Sequence, residues 1–296
     1  MVVETNSGKF VLSRRRTAAR AELEVEVLRQ LDKFGAPVPR VIAFDGTWLV
    51  QEYLGVRLSQ LLADVSGDRR QQLMDAAIVA LAAIHDAAMR ARLHDHVAKI
   101  GVRPGWVEAL VHTPVSIGER LHVPVPDLDY GSLVTMMTLK APRFIKWDAQ
   151  PGNAAVRDDG RVGWFDWEHC GCHSPLDDLG WFLGDEWTPE DPPFERKLLE
   201  VHLPAFAANL GRDEAWEYLM AFGVLHMCMR LSLILSHKGD GPWWDRAQCR
   251  SDDKVGVTAQ ESATVCNRAQ RWATDGSLVR PLAAWFGHVG DKMAAL

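Results

Sequence analysis

Apolar and polar residues are spaced in two different ways along this chain. Up to residue 54 they come in short alternating runs: residues 2–5 and 9–14 flank Asn6-Ser7-Gly8, a turn composition, which predicts an opening hairpin. Residues 17–34 place Leu23, Val27, Leu28 and Leu31 at helical spacing and stop at Gly35, with Pro37 beyond. Strands are predicted over 38–44 and 48–53. From residue 56 the period becomes helical. A short helix is expected over 58–63 and a long one over 68–90, which opens on Asp68 and carries Leu73, Ala77, Leu81 and Ile84 on one face. Pro104, Pro114, Pro124 and Pro126 break up residues 92–126. Further helices are expected over 128–139, 176–183, 195–209, 214–236, 260–273 and 281–294. The run 219–235 is the most apolar, but His226 and Arg230 interrupt it, so it reads as a buried helix and not a membrane span. The pattern predicts an α+β chain with a small β-rich part, residues 1–54, and a large, mainly helical part, residues 55–296.

Residues 143–168 stand apart from the helical stretches around them. An apolar run ends at Asp148, Asn153 follows five residues later, Asp158-Asp159-Gly160 predicts a hairpin turn, and a second apolar run ends at Asp166. Three oxygen-bearing side chains are thereby set at the ends of short strands. Their types suit phosphoryl transfer. Mg2+ bridges phosphate oxygens in that reaction and takes a carboxylate and an amide oxygen from the protein, so Asn153 and Asp166 are candidate metal ligands. Asp148 is the candidate to accept or orient the proton of an attacking hydroxyl.

Composition narrows the field. A chain of 296 residues with 47% apolar content can bury a large core. The formal net charge of -6 gives no basic footprint for nucleic acid, so the expected partner is a small molecule. The 5 cysteines are odd in number and scattered, which argues against a disulfide framework and for a reducing cytoplasm. Residues 1–9 lack a basic start followed by an apolar core, so no signal peptide is expected.

The central blocks resemble the aminoglycoside phosphotransferase and choline kinase-like family. Asp148-Ala149-Gln150-Pro151-Gly152-Asn153 is similar to that family's Asp-x-His-Pro-Gly-Asn loop, and Phe165-Asp166-Trp167-Glu168 to its Ile-Asp-Trp-Glu. Pro175-Leu176-Asp177-Asp178-Leu179 is similar to the Pro-x-x-Asp-Leu that follows. The resemblance implies a bilobal protein-kinase-like fold, ATP and Mg2+ as cofactors, and transfer of the γ-phosphoryl group to a hydroxyl of a small substrate. It implies Asp148 as the catalytic residue, Asn153 and Asp166 as metal ligands, and Asp178 as a brace of the loop. Gln51-Glu52-Tyr53-Leu54-Gly55 looks like the hinge between lobes, where main-chain groups of Gln51 and Tyr53 would hold adenine. Glu24 matches the helix Glu that pairs with a strand Lys or Arg on the ATP phosphates. An ungapped match puts Ser13 at that cation's place. Arg14 or Arg15 then substitutes only if the strand shifts register, because neighbours on a strand face opposite sides.

Other departures bear on activity. Lys146-Trp147 stands where the family has His-Gly, and Lys146, on the same strand face as Asp148, is a candidate to neutralise phosphate charge. Only nine residues precede Phe10, which implies a shortened N-terminal lobe without the usual phosphate loop. Ser13, Lys146 and the short lobe support a second reading, a catalytically impaired, pseudokinase-like protein that binds a nucleotide or metabolite. The intact Asp148, Asn153 and Asp166 support the enzyme. His169-Cys170-Gly171-Cys172-His173 offers zinc-type ligands at a spacing that suits zinc poorly, so a loop that positions Asp178 is expected. His85 reads as a structural histidine. The acidic, aromatic segment 184–191 lies where the family builds its substrate pocket, which tilts the expected substrate toward a cationic or amino-sugar molecule. Helix capping is the other role open to those acids.

Overall fold

The structure, a computed structural model, describes residues 1–6, 8–138 and 141–296. The contacts divide the chain into two compact units, Met1–Ile100 with Pro142–Asp178, and Gly101–Ala141 with Leu179–Leu296.

The first unit opens on the expected hairpin, β1 (Val2–Thr5) and β2 (Gly8–Arg14); Ser7 of its turn lies outside the described residues. Helix α1 (Ala18–Lys33) is capped by the Thr17 hydroxyl, which accepts from the Arg20 N–H, and it buries Val27, Leu28 and Leu31 as its spacing predicts. Strands β3 (Val41–Phe44) and β4 (Trp48–Glu52) complete an antiparallel sheet in the order β1-β2-β4-β3. β3 starts later than the pattern suggests because Pro37 and Pro39 cannot donate to a ladder. The chain continues through β5 (Val56–Arg57), α2 (Leu58–Asp64) and α3 (Gly67–Arg90). Gly55, just ahead of β5, has φ +129°, and a Cβ there would lie 2.0 Å from the Val156 carbonyl oxygen, so only glycine permits this approach.

The proline-broken stretch holds two short helices, α4 (Trp106–Val111) and α5 (Thr113–Leu121), the second with Pro114 in its first turn, where a missing N–H is tolerated. Helix α6 (Tyr130–Met137) is shorter than predicted: the Asp129 side chain caps it, and Leu139 lies outside the described residues. Four short strands follow, β6 (Arg143–Ile145), β7 (Ala154–Val156), β8 (Val162–Trp164) and β9 (Gly171–His173). β7 and β8 form the expected hairpin over Asp158-Asp159-Gly160, with β5 on the other edge of β7. β9 is a strand where a loop was expected, and it pairs antiparallel with β6. Trp164 is fully buried against α3, and its indole N–H donates to the Ala77 carbonyl at 3.1 Å. Helix α7 (Pro175–Gly184) runs from the first unit into the second.

The second unit adds α8 (Pro192–Phe206), α9 (Arg212–Lys238), α10 (Arg246–Ser251), α11 (Ala259–Asp275) and α12 (Leu282–Ala294). By length and composition α3 and α9 could each cross a membrane, yet both are largely buried, α9 against α11, α5 and α8. Inside this unit the acidic segment 184–191 departs from expectation. Asp185 and Glu186 are buried, and Arg230 of α9 grips Glu186 through two hydrogen bonds of 2.7 and 2.6 Å. Arg268 of α11 donates to Glu195 at 2.9 Å and to the carbonyls of Asp185 and Thr188 at 3.0 and 2.8 Å. Buried carboxylates require such partners, so these two acids brace the unit and offer no open wall to a cation.

His226, one turn before Arg230, is buried between Trp181 and Phe222, and neither ring nitrogen has a hydrogen-bond partner. Burial, with the nearby Arg230 charge, drives its pKa down from 6.5 to about 3. As pH falls from 6.5 toward 3 the unfolded chain therefore takes up a proton that the folded chain refuses, and stability is lost across that window. His226→Leu should raise stability at neutral pH by about 1–3 kcal/mol, the cost of an unsatisfied buried polar group. It should also flatten the acid limb of a denaturation series run from pH 7 to pH 4. An unchanged pH dependence would contradict this account.

Candidate active site

Asp148, Asn153 and Asp166 all lie in the first unit, on the connections that leave its short strands. Trp147, Asp148 and Asp166 have φ of +52°, +60° and +62°. Aspartate tolerates this left-handed region, whereas a tryptophan there is strained and must be held. Asp178 does the holding. Its carboxylate accepts from the backbone N–H groups of Lys146 and Trp147 at 2.7 and 2.8 Å and meets His85 Nε2 at 2.8 Å. Asp177, the neighbouring candidate for that task, instead pairs with His173, whose ring meets the edge of Trp147.

Asn153 ends a short 3-10 turn, Pro151–Asn153. Its Nδ2 donates to Asp148 Oδ2 at 2.9 Å and to the Asp148 carbonyl at 3.0 Å, which leaves Oδ1 as its donor atom for a cation. The Asn153 carbonyl accepts from the Phe165 N–H at 2.9 Å, tying the Asn153 turn to the residue before Asp166. Asp166 Oδ1 is buried and accepts no hydrogen bond; Arg15 Nη2 stands 2.9 Å away as an ion pair.

Arg15 is the hub of this group. Its guanidinium binds Glu24 through Nε at 2.5 Å and Nη2 at 2.7 Å and lies 3.5 Å from Glu168. Burial works against its charge, but the hydrogen bond and charge of Glu24, helped by Asp166 and Glu168, outweigh it and hold the pKa above its ordinary value. Glu24 is fully buried and also accepts from the Trp167 N–H at 3.2 Å. Arg14 lies outside the group, exposed, with its guanidinium 5.9 Å from the Trp48 ring centre. No register shift is needed for Arg15 to serve, because β2 ends at Arg14 and the next residue escapes strand alternation. Ser13 stays in β2 opposite Leu49 with a buried, unpartnered hydroxyl.

Gln51 is buried in β4, between β2 and β3, and Tyr53 follows the strand's end. Lys146 differs from expectation. It is fully buried, its Nζ donates to the Asp166 carbonyl at 2.8 Å, and it lies 5.2 Å from the Trp167 ring centre. The buried ammonium thus supports the backbone of Asp166. Glu168 and Arg57 also join the group without having been singled out beforehand. The position of Glu168, two residues after Asp166, was the available signal. Arg57 gave none, since it lies 109 residues before Asp166.

The donor set suits Mg2+. An amide oxygen on Asn153 and a buried carboxylate oxygen on Asp166, which accepts no hydrogen bond and has only the Arg15 ion pair, are hard donors of the kind Mg2+ takes when phosphates supply the remaining ligands. Among the described residues no three His, Cys, Asp or Glu side chains gather into a metal-binding group. The His-Cys-Gly-Cys-His segment instead contains β9, where Cys172 Sγ donates to the Val97 carbonyl at 3.5 Å.

A family model described as "Phosphotransferase enzyme family" matches residues 1–216. Several solved structures resemble the chain. An aminoglycoside phosphotransferase from Alicyclobacillus acidocaldarius aligns at TM-score 0.52 with 12% identity, over 97% of this chain and 90% of that one. The GDP and kanamycin complex of APH(2'')-IIia aligns at 0.53 with 16% identity, over 89% of each chain. The choline kinase LicA from Streptococcus pneumoniae aligns at 0.50 with 14% identity, over 96% and 89%. At such identities the likeness is one of fold. A search of curated protein sequences gives no match.

Proposed function

The chain belongs to the phosphotransferase enzyme family, and on that premise we propose that it transfers the γ-phosphoryl group of ATP to a hydroxyl of a small molecule. One observation carries the reading: Asn153 donates to Asp148, Arg15 bridges Glu24 to Asp166, and the two sets are tied through the Phe165 N–H on the Asn153 carbonyl. Asp148 orients the acceptor hydroxyl and takes up its proton. Asn153 and Asp166 hold Mg2+, which when bound neutralises phosphate charge. In this reading residues 1–54 serve the nucleotide, with main-chain groups of Gln51 and Tyr53 on adenine, and residues 55–296 carry catalysis and the acceptor. Of the two arginines named for the place beside Glu24, Arg15 takes it, while Arg14 lies over Trp48.

The acceptor is proposed to be a hydroxyl compound that also carries a positive charge. Support comes from the kanamycin and choline named with two of the similar structures, since both are amines with free hydroxyls. The acidic segment no longer supports this, its Asp185 and Glu186 being buried. A cytoplasmic setting suits five cysteines that are all buried and unbridged.

Calorimetric titration with ATP and with GTP, with and without Mg2+, tests the reading, followed by a screen for nucleoside diphosphate release over hydroxyl-bearing amines. GTP is included because one of the similar structures holds GDP. Magnesium-dependent binding followed by release supports the enzyme. Binding without release for any acceptor would point to the pseudokinase-like alternative.

Lys146 offers a finer check. Lys146→Met should lower turnover by about 10- to 100-fold, the usual effect of losing a group that orients a metal-binding residue, with nucleotide KM little changed. Lys146→His should restore most of it, because an imidazole can donate to the same Asp166 carbonyl. Equal loss in both variants would remove Lys146 from this role.

A further inference from the structure

Alternation along β4 puts Trp48, Val50 and Glu52 on one side of the strand and Leu49 and Gln51 on the other. The second side is the buried one: Leu49 is 1% and Gln51 3% exposed, while Trp48 is exposed and Val50 and Glu52 are half-buried. Helix α1 packs against β4. Register carries the same side across to β2, where Val11 lies opposite Gln51 and Ser13 opposite Leu49. A leucine would suit position 51 as it suits position 49. The chain instead buries a carboxamide there, and its Oε1 meets no hydrogen-bond donor. Ser13 Oγ, diagonal to Gln51 on this side of the sheet, is also buried and unbonded. Both atoms have given up water without gaining a partner, which costs stability.

That cost is recovered when a ligand supplies the partner. In the phosphotransfer reading main-chain groups of Gln51 and Tyr53 receive the base, so the base is the ligand that comes to this residue. Purines differ at the six-position, where adenine carries an amino donor and guanine a carbonyl acceptor. A carboxamide has an acceptor at one end and donors at the other, and a half-turn of the group exchanges them.

We propose that the Gln51 side chain reads the purine by bonding the group at its six-position. Oε1 accepts from the amino group of adenine; after the half-turn, Nε2 donates to the carbonyl of guanine. The inference rests on the phosphotransfer reading above and adds to it a side-chain contact with the base. It separates Gln51 from a purely structural role, in which the carboxamide would stabilise the empty protein.

The test titrates the full chain, with Mg2+ present, with ATP, GTP and purine riboside triphosphate, which carries no group at the six-position, for the parent, Gln51→Leu and Gln51→Met. The parent should prefer ATP or GTP to purine riboside triphosphate, and Gln51→Leu should lose about 3- to 10-fold of that preference, the range for one neutral hydrogen bond. Affinity for purine riboside triphosphate itself should stay within about twofold, since the lost contact is absent there. Comparing both ligands on both proteins cancels the main-chain contacts, which the substitution leaves in place. Without nucleotide, Gln51→Leu should melt above the parent, because the unbonded oxygen is gone. A preference that survives in both variants overturns the proposal, with or without a fall in melting temperature, and leaves the phosphotransfer reading intact. If Gln51→Leu fails to fold by circular dichroism, Gln51→Met, unbranched and adaptable, decides by the same comparison. A parent that binds none of the triphosphates overturns both readings.

Discussion

Asp148→Asn should bind nucleotide within about twofold of the parent and turn over about 10²- to 10⁴-fold more slowly, the usual contribution of a positioned acid or base. Asparagine is the informative substitution because residue 148 sits at φ +60°, a region that asparagine shares with aspartate and that alanine enters only with strain. The amide oxygen of the variant can still accept from Asn153 Nδ2, so the loop keeps its internal hydrogen bond. What is removed is the basicity that takes a proton from the acceptor hydroxyl. Single-turnover release of nucleoside diphosphate, run beside a calorimetric titration, separates the two effects. Unchanged turnover would strip Asp148 of its proposed role.

Asp166→Asn and Asp166→Ala should abolish the magnesium-dependent part of nucleotide affinity. Loss of the metal's charge stabilisation is worth several kcal/mol, which at 1.36 kcal/mol per tenfold is roughly a thousandfold in turnover. The pair of variants divides chemistry from backbone strain, because φ at residue 166 is +62°, which asparagine tolerates and alanine does not. Neither variant leaves Arg15 as an uncompensated buried cation, since Glu24 still binds it through two hydrogen bonds and Glu168 stays 3.5 Å away. Titration with and without Mg2+ reads the outcome directly. If affinity in the presence of Mg2+ is unaffected in both, the metal is held elsewhere.

Much of the fold was written in local pattern. The first hairpin, α1, α3, the β7–β8 hairpin and the five long helices from α7 onward, α10 aside, follow from residue spacing, caps and turn composition, which act over a few residues at a time. The short elements β5, β9 and α10 were not legible. Two or three residues hold a strand only through a partner elsewhere, as β9 does through β6. The resemblance of three blocks to a phosphotransferase pattern was likewise legible, and the family match over residues 1–216 bears out the suspected family.

The sequence by itself determined the family, the α+β class and the clustering of Asp148, Asn153 and Asp166 on strand ends, because each depends on residue order within short blocks. Only the tertiary structure decided which charges meet. Arg15, not Arg14, reaches Glu24, because β2 ends one residue before it. Lys146 faces inward to the Asp166 carbonyl, 20 residues away. Glu186 of segment 184–191 looked open to a ligand until Arg230, 44 residues away, proved to be its partner. A charged side chain is written in the sequence without its partner, and in a buried site the partner decides whether that charge serves structure or chemistry.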